Sequence, residues 1–248
     1  MSSFKVYYIN LDKSTDRKSF MENQFKELNI PITRISAIYG KDLADSFLNK
    51  AKNQFNILTH YPNLNDGEIG LTKTFFNLWK IIVKQEEDYA IVLEDDALLT
   101  KTFFIDLDKL LSSITQNDFL DISGRKGLYV LEKNQLTTKF LVPSLQTTGQ
   151  IIGKKAAKTL SENLTTYYSP IDVLKQDIFK HLTPVLTTNK PYVSSNDKAL
   201  GGSTLQQKDK PIFKKIAREL IRPFWQLFTL FTYKINRCIR NYIFYKRN

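Results

Sequence analysis

The sequence predicts an α/β domain with a mixed, mainly parallel central sheet, followed by a basic amphipathic helical tail. Three observations carry that expectation. The apolar run Tyr89-Ala90-Ile91-Val92-Leu93 passes directly into Glu94-Asp95-Asp96, as a strand buried on both faces of a sheet would do where it meets its loop. Residues 4–38 alternate strand, helix and strand patterns, within about the length of one βαβ unit. The charge is unevenly placed, since residues 208–248 hold eleven Lys or Arg against Asp209 and Glu219, most of the net +11. The domain boundary is therefore set at 207/208, with a globular part over residues 1–207 and a tail over 208–248.

Phe4 to Leu11 (FKVYYINL) reads as the first strand. Ser14 is a good N-cap residue, and Phe20, Met21, Phe25 and Leu28 follow at helical spacing until Pro31 closes the helix. A second strand over 32–38 ends before Gly40. Asn10, Asp12, Asp16 and Arg17 fall at the carboxyl end of the first strand or in the turn beyond; by themselves they read as caps and a surface ion pair. Residues 43–66 suggest a weak helix and then a polar loop. Gly67-Glu68-Ile69-Gly70 opens a strongly apolar helix through Phe75, Phe76, Leu78, Trp79, Ile82 and Val83, with Trp79 assigned to the core.

Asp and Glu are poor strand formers, so the strand from Tyr89 should end at Glu94. The crevice beyond the carboxyl ends of the strands is where ligands bind in open α/β sheets. Three neighbouring carboxylates repel one another unless a cation lies between them. A hard divalent ion, Mg²⁺ or Mn²⁺, suits their oxygens and can share its shell with phosphates. The alternative is a solvated acidic turn capping the next helix near Lys101.

The blocks INLDKSTDR (Ile9 to Arg17), GEIG (Gly67 to Gly70) with Trp79 nine residues on, and VLEDD (Val92 to Asp96) together resemble glycosyltransferase family 25, the bacterial lipooligosaccharide galactosyltransferases and their relatives. GQIIGKKAA (Gly149 to Ala157) and Pro170-Ile171-Asp172 resemble that family's later strand-to-helix segment and its proline-x-aspartate. The resemblance implies a GT-A-like nucleotide-sugar-binding fold and a UDP-sugar donor, often UDP-galactose. It also implies inverting transfer to a hydroxyl of a lipid-linked oligosaccharide acceptor. Glu94 and Asp96 would then hold Mn²⁺ or Mg²⁺, while Asn10, Arg17, Glu68 and Asp95 would serve the donor side. Asp172 is the candidate base for the acceptor hydroxyl and Asp177 the reserve. The chain departs from the family pattern at Leu71, Thr74 and Phe75, and again at Gln150, Gly153 and Lys154. Those departures keep a second reading open, a catalytically decayed scaffold that binds a membrane or a partner.

Other readings are excluded. Gly149 to Lys154 is one residue too short for a phosphate loop, and Lys155 stands where that loop needs Ser or Thr. A single cysteine, Cys238, and two histidines, His60 and His181, offer neither an intramolecular disulfide nor a Cys/His zinc site. Basic residues in 1–207 are dispersed and nearly balanced, which disfavours nucleic acid as the partner. The N-terminal residues lack the pattern of a secretory signal, so the expected location is cytoplasmic. Residues 194–209 turn polar, as a linker or a lid would. Beyond them Phe213, Ile216, Leu220, Phe224 and Trp225 recur among Lys214, Lys215, Arg218 and Arg222. An uncharged stretch of 11 residues, 223–233, is too short to span a bilayer that needs about 20. The tail is expected to lie on the anionic inner face of a cell membrane, packing on its own domain or a second subunit being the other possibility.

Overall fold

The computed structural model describes residues 3–52, 64–176, 183–202 and 231. The expected βαβ opening is present as β1 (Phe4–Asn10), α1 (Thr15–Glu27) and β2 (Thr33–Ser36), with β1 and β2 parallel and Tyr7 opposite Thr33. Ser14 occupies the N-cap position, but its side chain makes no capping bond. Nor does Pro31 close the helix. Asn29 does so at φ 53°, with its N–H donating to the Lys26 carbonyl and that of Ile30 to Phe25. This is a Schellman ending with asparagine in the left-handed position.

A short α2 (Asp45–Lys52) matches the weak helix expected after residue 43; most of the polar loop after it lies outside the described residues. The long helix α3 (Asp66–Lys84) starts in a reciprocal capping box, in which the Glu68 N–H donates to Asn65 Oδ1 at 2.7 Å and the Asn65 N–H to Glu68 Oε2 at 2.9 Å. There follow β3 (Tyr89–Glu94), β4 (Ala97–Leu99), α4 (Phe103–Ser112), β5 (Phe119–Asp121), β6 (Leu128–Lys133), β7 (Thr137–Val142) and β8 (Gly149–Gly153). Then come α5 (Lys154–Asn163), α6 (Ile171–Leu174), β9 (Val185–Thr188) and β10 (Val193–Ser195).

Eight strands form one sheet in the order β2-β1-β3-β8-β5-β9-β7-β6, and β10 pairs with β4 in a small second sheet. The central sheet is mixed, as expected, but not mainly parallel: three of its seven ladders are parallel and four antiparallel. The cause is β8, which enters between β3 and β5 antiparallel to both, together with β7, which runs antiparallel to β9 and β6. A continuous apolar run reports burial on both faces, not the direction of its neighbours.

Helices cover both faces. Alternate residues of β3 divide between two cores, Ala90 and Val92 joining Phe75, Trp79 and Leu160 on one side, and Tyr89, Ile91 and Leu93 joining Met21, Phe25 and Phe103 on the other. Trp79 is in the core as expected, at 3% exposure. Gly149 to Gly153 is a buried strand leading into α5; a Cβ on Gly153 would lie 2.3 Å from the Gln116 carbonyl oxygen, so close packing requires glycine there. Among the described residues no helix is long and apolar enough to cross a membrane. The tail, apart from Phe231, and the second half of the proposed linker lie outside the described residues.

Candidate functional site

β1 lies between β2 and β3, parallel to both. The strand order therefore reverses at β1, and the carboxyl ends of β1 and β3 open into one crevice. Its walls include Leu11, Tyr39 and Lys41 on one side and Glu94, Asp96 and Asp197 on the other. The turn at Tyr39 is brought close because Gly40 and Gly70 pack directly together. A Cβ on Gly70 would meet the Ile38 carbonyl oxygen at 2.4 Å and the Gly40 nitrogen at 2.8 Å. Thr74 fastens the contact, accepting from the Ile38 N–H at 2.9 Å and donating to the Gly70 carbonyl at 2.8 Å. The glycines of the GEIG block thus bring α3 and the turn after β2 together.

The three consecutive carboxylates point to three different sets of partners. Asp95 is buried and bound by Arg17 Nη1 at 2.8 Å and Asn10 Nδ2 at 2.8 Å. Arg17 spends its other terminal nitrogen on the Gly202 carbonyl at 2.6 Å, drawing the segment after β10 toward the crevice. This corrects the reading of Arg17 as part of a surface ion pair: its side chain is 7% exposed. The exposed pair of that region is Asp12 with Arg34, and Arg34 Nε also holds Asn10 Oδ1 at 2.9 Å.

Asp96 is also buried. Its Oδ2 accepts from the Ser195 hydroxyl at 2.6 Å, and its carbonyl accepts from the Asn196 N–H at 2.8 Å. Glu94 has a different partner, accepting from the Thr147 hydroxyl at 2.5 Å. Burial pushes the Glu94 carboxyl up to about 7; the Thr147 bond opposes the shift, and the charges of Asp96, Asp95 and Asp172 add to it. Asp172 opens α6 and is also raised, chiefly by burial, with Lys175 opposing and Glu68 adding. Glu94 and Asp172 therefore lie within electrostatic reach of each other, and Asp172 within reach of Glu68, which is committed to the α3 capping box; of the three, Glu94 lines the crevice. Asp177 lies outside the described residues.

No three His, Cys, Asp or Glu side chains converge as a metal cluster among the described residues. The acidic triplet does not cap the next helix either, because β4 and Thr102 separate it from α4. Asp95 already has Arg17, leaving Glu94 and Asp96 as the carboxylates open to a cation. One or two carboxylates with phosphate oxygens completing the shell suffice for Mg²⁺, so the donor set fits a phosphate-bearing metal complex.

Thr147, Ser195, Tyr39 and Lys41 were not singled out from sequence. Tyr39 and Lys41 line the crevice from the turn after β2, while Thr147, in the loop before β8, and Ser195, in β10, bind two of its carboxylates. Isolated hydroxyls and basic residues carry no local pattern that marks them. Phe75, one of the departures from the family pattern, is 1% exposed and packs against Trp79.

Comparison with known proteins agrees with the three sequence blocks. The family model described as "Glycosyltransferase family 25 (LPS biosynthesis protein)" matches residues 3–145. Procollagen galactosyltransferase 2 of Homo sapiens is 29% identical over 217 residues, covering 81% of this chain and 34% of its own length. The Mus musculus protein of the same name is 33% identical over 137 residues, covering 52% and 22%. The chain thus spans about a third or less of the curated relatives it matches. Among solved structures, S. aureus TarS 1-349 superposes with a TM-score of 0.44 at 14% identity, covering 81% of this chain and 62% of that one. The match of the family model over more than half of the sequence shows that this chain belongs to glycosyltransferase family 25.

Proposed function

We propose that the protein is a GT-A-like, inverting glycosyltransferase that moves a sugar, galactose by preference, from a UDP-sugar to a hydroxyl of a lipid-linked glycan. The observation that carries this reading is the crevice at the strand-order reversal. One wall is apolar and aromatic, at Leu11 and Tyr39, which suits a base and ribose. The other holds Glu94 and Asp96, and Arg17 and Lys41 supply positive charge near them. Family membership supports glycosyl transfer. The relatives named procollagen galactosyltransferases support galactose, and the family description as an LPS biosynthesis protein supports a lipid-linked acceptor.

Departure of UDP leaves a pyrophosphate with added negative charge, and stabilising that charge dominates the barrier in such reactions. Mn²⁺ or Mg²⁺ held by Asp96 and Glu94 would supply Lewis-acid neutralisation of the pyrophosphate. Arg17, kept in place by Asp95, and Lys41 contribute fixed positive charge. Asp172 takes the proton from the acceptor hydroxyl as it attacks the anomeric carbon from the face opposite the leaving group. Its raised proton affinity makes it a stronger base than an exposed aspartate. The protein is placed at the inner face of a cell membrane by the basic, aromatic-rich tail, which would concentrate it beside a membrane-bound acceptor.

The divergence of the three carboxylates favours one other reading, a scaffold that binds a nucleotide or partner without turnover. Calorimetric titration of UDP, UDP-galactose and UDP-glucose, with and without Mn²⁺, separates the two when paired with a radiolabel transfer assay. Metal-dependent UDP uptake with transfer is expected. Asp96→Asn should reduce transfer by about 100-fold or more, on the scale of losing one electrostatic partner of the transition state. Full transfer by that variant removes Asp96 from the reaction, and binding without transfer selects the scaffold.

A further inference from the structure

Beneath the Glu94 side of the crevice lies a second buried ion pair. Asp121 ends β5 and Lys175 follows α6; their side chains are 3% and 4% exposed, with Nζ 2.8 Å from Oδ2. Lys175 Nζ also donates to the Gln146 carbonyl at 2.6 Å. The neighbouring Gln176 Nε2 donates to the Pro143 carbonyl at 2.6 Å. Asp121 accepts from the Ser144 hydroxyl at 3.1 Å and the Ser123 N–H at 2.8 Å. The two residues after α6 therefore clasp the segment from Pro143 to Gln146 at both ends.

Gln146 has φ 117°, a conformation that an L residue keeps only when its surroundings impose it. The next two residues hold Glu94. Thr147 donates its hydroxyl to the Glu94 carboxylate at 2.5 Å, and the Thr148 carbonyl accepts from the Glu94 N–H at 3.0 Å. An unbroken series of bonds thus runs from Asp121 through Lys175, Gln146 and Thr147 to Glu94. Stability alone is a poor reason for such a pair, because apolar or neutral residues of similar shape commonly replace a buried pair without loss of stability.

We propose that Lys175 and Asp121 are a positioning pair that holds the Gln146 turn so that Thr147 fixes Glu94 in the donor crevice. Neither residue touches substrate; they act through the turn. The consequence for donor binding rests on the nucleotide-sugar reading above.

The test uses the full chain carrying Lys175→Met with Asp121→Asn. The pair is removed together, so neither charge is left buried alone, and the new amide can still accept from the Ser123 N–H. Three quantities are read: the thermal midpoint, the amide resonances of residues 146–148 and Glu94, and UDP affinity in Mn²⁺. The expected result is a folded protein in which those amides shift more than the rest of the sheet. UDP affinity should fall by about tenfold or more, the loss typical when groups that orient a ligating side chain are removed. Adding Thr147→Val to this background should then cost little more, because both changes break one series of bonds.

Unmoved amides, unchanged affinity, or a full additional loss from Thr147→Val would each overturn the proposal. If that double variant fails to fold, Lys175→Leu with Asp121→Asn, which likewise leaves neither charge buried alone, replaces it. It should move the same amides and weaken UDP in the same direction, and no change in either overturns the assignment. A wild-type protein that takes up no UDP would defeat the donor reading, while the amide measurements would still decide the positioning role.

Discussion

The parallel strands β2-β1-β3 and the antiparallel strands around β8 each bury one ion pair near the same crevice, and the two pairs differ in use. Arg17–Asp95 joins the first helix to the end of β3, and its guanidinium reaches the mouth of the crevice, where it also binds the Gly202 carbonyl. Lys175–Asp121 joins the residue after α6 to the end of β5 and binds the carbonyl of a turn. Planar Arg can hold a carboxylate and still present donors to a ligand, whereas Lys is a compact charge with rotatable donors suited to gathering carbonyls. Similar burial thus serves two ends: the first pair keeps a cation in the lining of the crevice, and the second gathers backbone.

The largest expected effect breaks the first pair. Arg17→Met leaves Asp95 buried beside Asn10 without its counter-charge and should cost about 3–5 kcal/mol of unfolding free energy in urea titration. Adding Asp95→Leu should restore most of that. If the single and double variants lose equally, Arg17 matters through its packing or its Gly202 bond, and the two halves of the sheet are less alike than their pairs suggest.

A smaller effect sharpens the contrast between the two sides of the crevice. Asp95 has a buried cation, whereas among the described residues the Glu94 carboxylate has only the Thr147 hydroxyl. A carboxyl raised from 4.5 to about 7 by burial favours the folded state when protonated. That contribution is complete below pH 4.5 and is lost as the pH rises through about 7. Glu94→Gln is neutral throughout, so in metal-free buffer its stability advantage over wild type should grow across that window to on the order of 3 kcal/mol and then level off. A constant difference from pH 4 to 8 would show that Glu94 ionises normally. The smallest effect is at the exposed rim. Asp12→Ala removes the carboxylate that Arg34 and Ser36 share and should leave the denaturation midpoint unchanged within error, because solvent screens such pairs.

Much of the parallel half was legible in sequence because its instructions are local. The β1–α1–β2 unit, the apolar helix before β3 and the acidic end of that strand all follow from periodicity and residue type over short windows. Local pattern was less reliable at boundaries. Pro31 was an obvious breaker, yet Asn29 ends the helix by adopting a left-handed conformation just ahead of it.

The antiparallel half was largely illegible. Phe119-Leu120-Asp121 has the same form as Val92-Leu93-Glu94, an apolar strand ending in an acid. It is only three residues long, and its partner Lys175 is 54 positions away.

By itself, then, the sequence determined that this is an α/β domain, that a crevice opens at Glu94 to Asp96, and which family's blocks surround it. Each of these depends on neighbours along the chain. Tertiary structure alone decided that β8 runs against β3, and that the three acidic side chains part toward Arg17, Ser195 and Thr147. It alone decided, too, that a buried lysine stands beneath one of them. Strand direction and side-chain partners are set by long-range pairing and by the cost of burying unpaired charge, and neither leaves a period in the sequence.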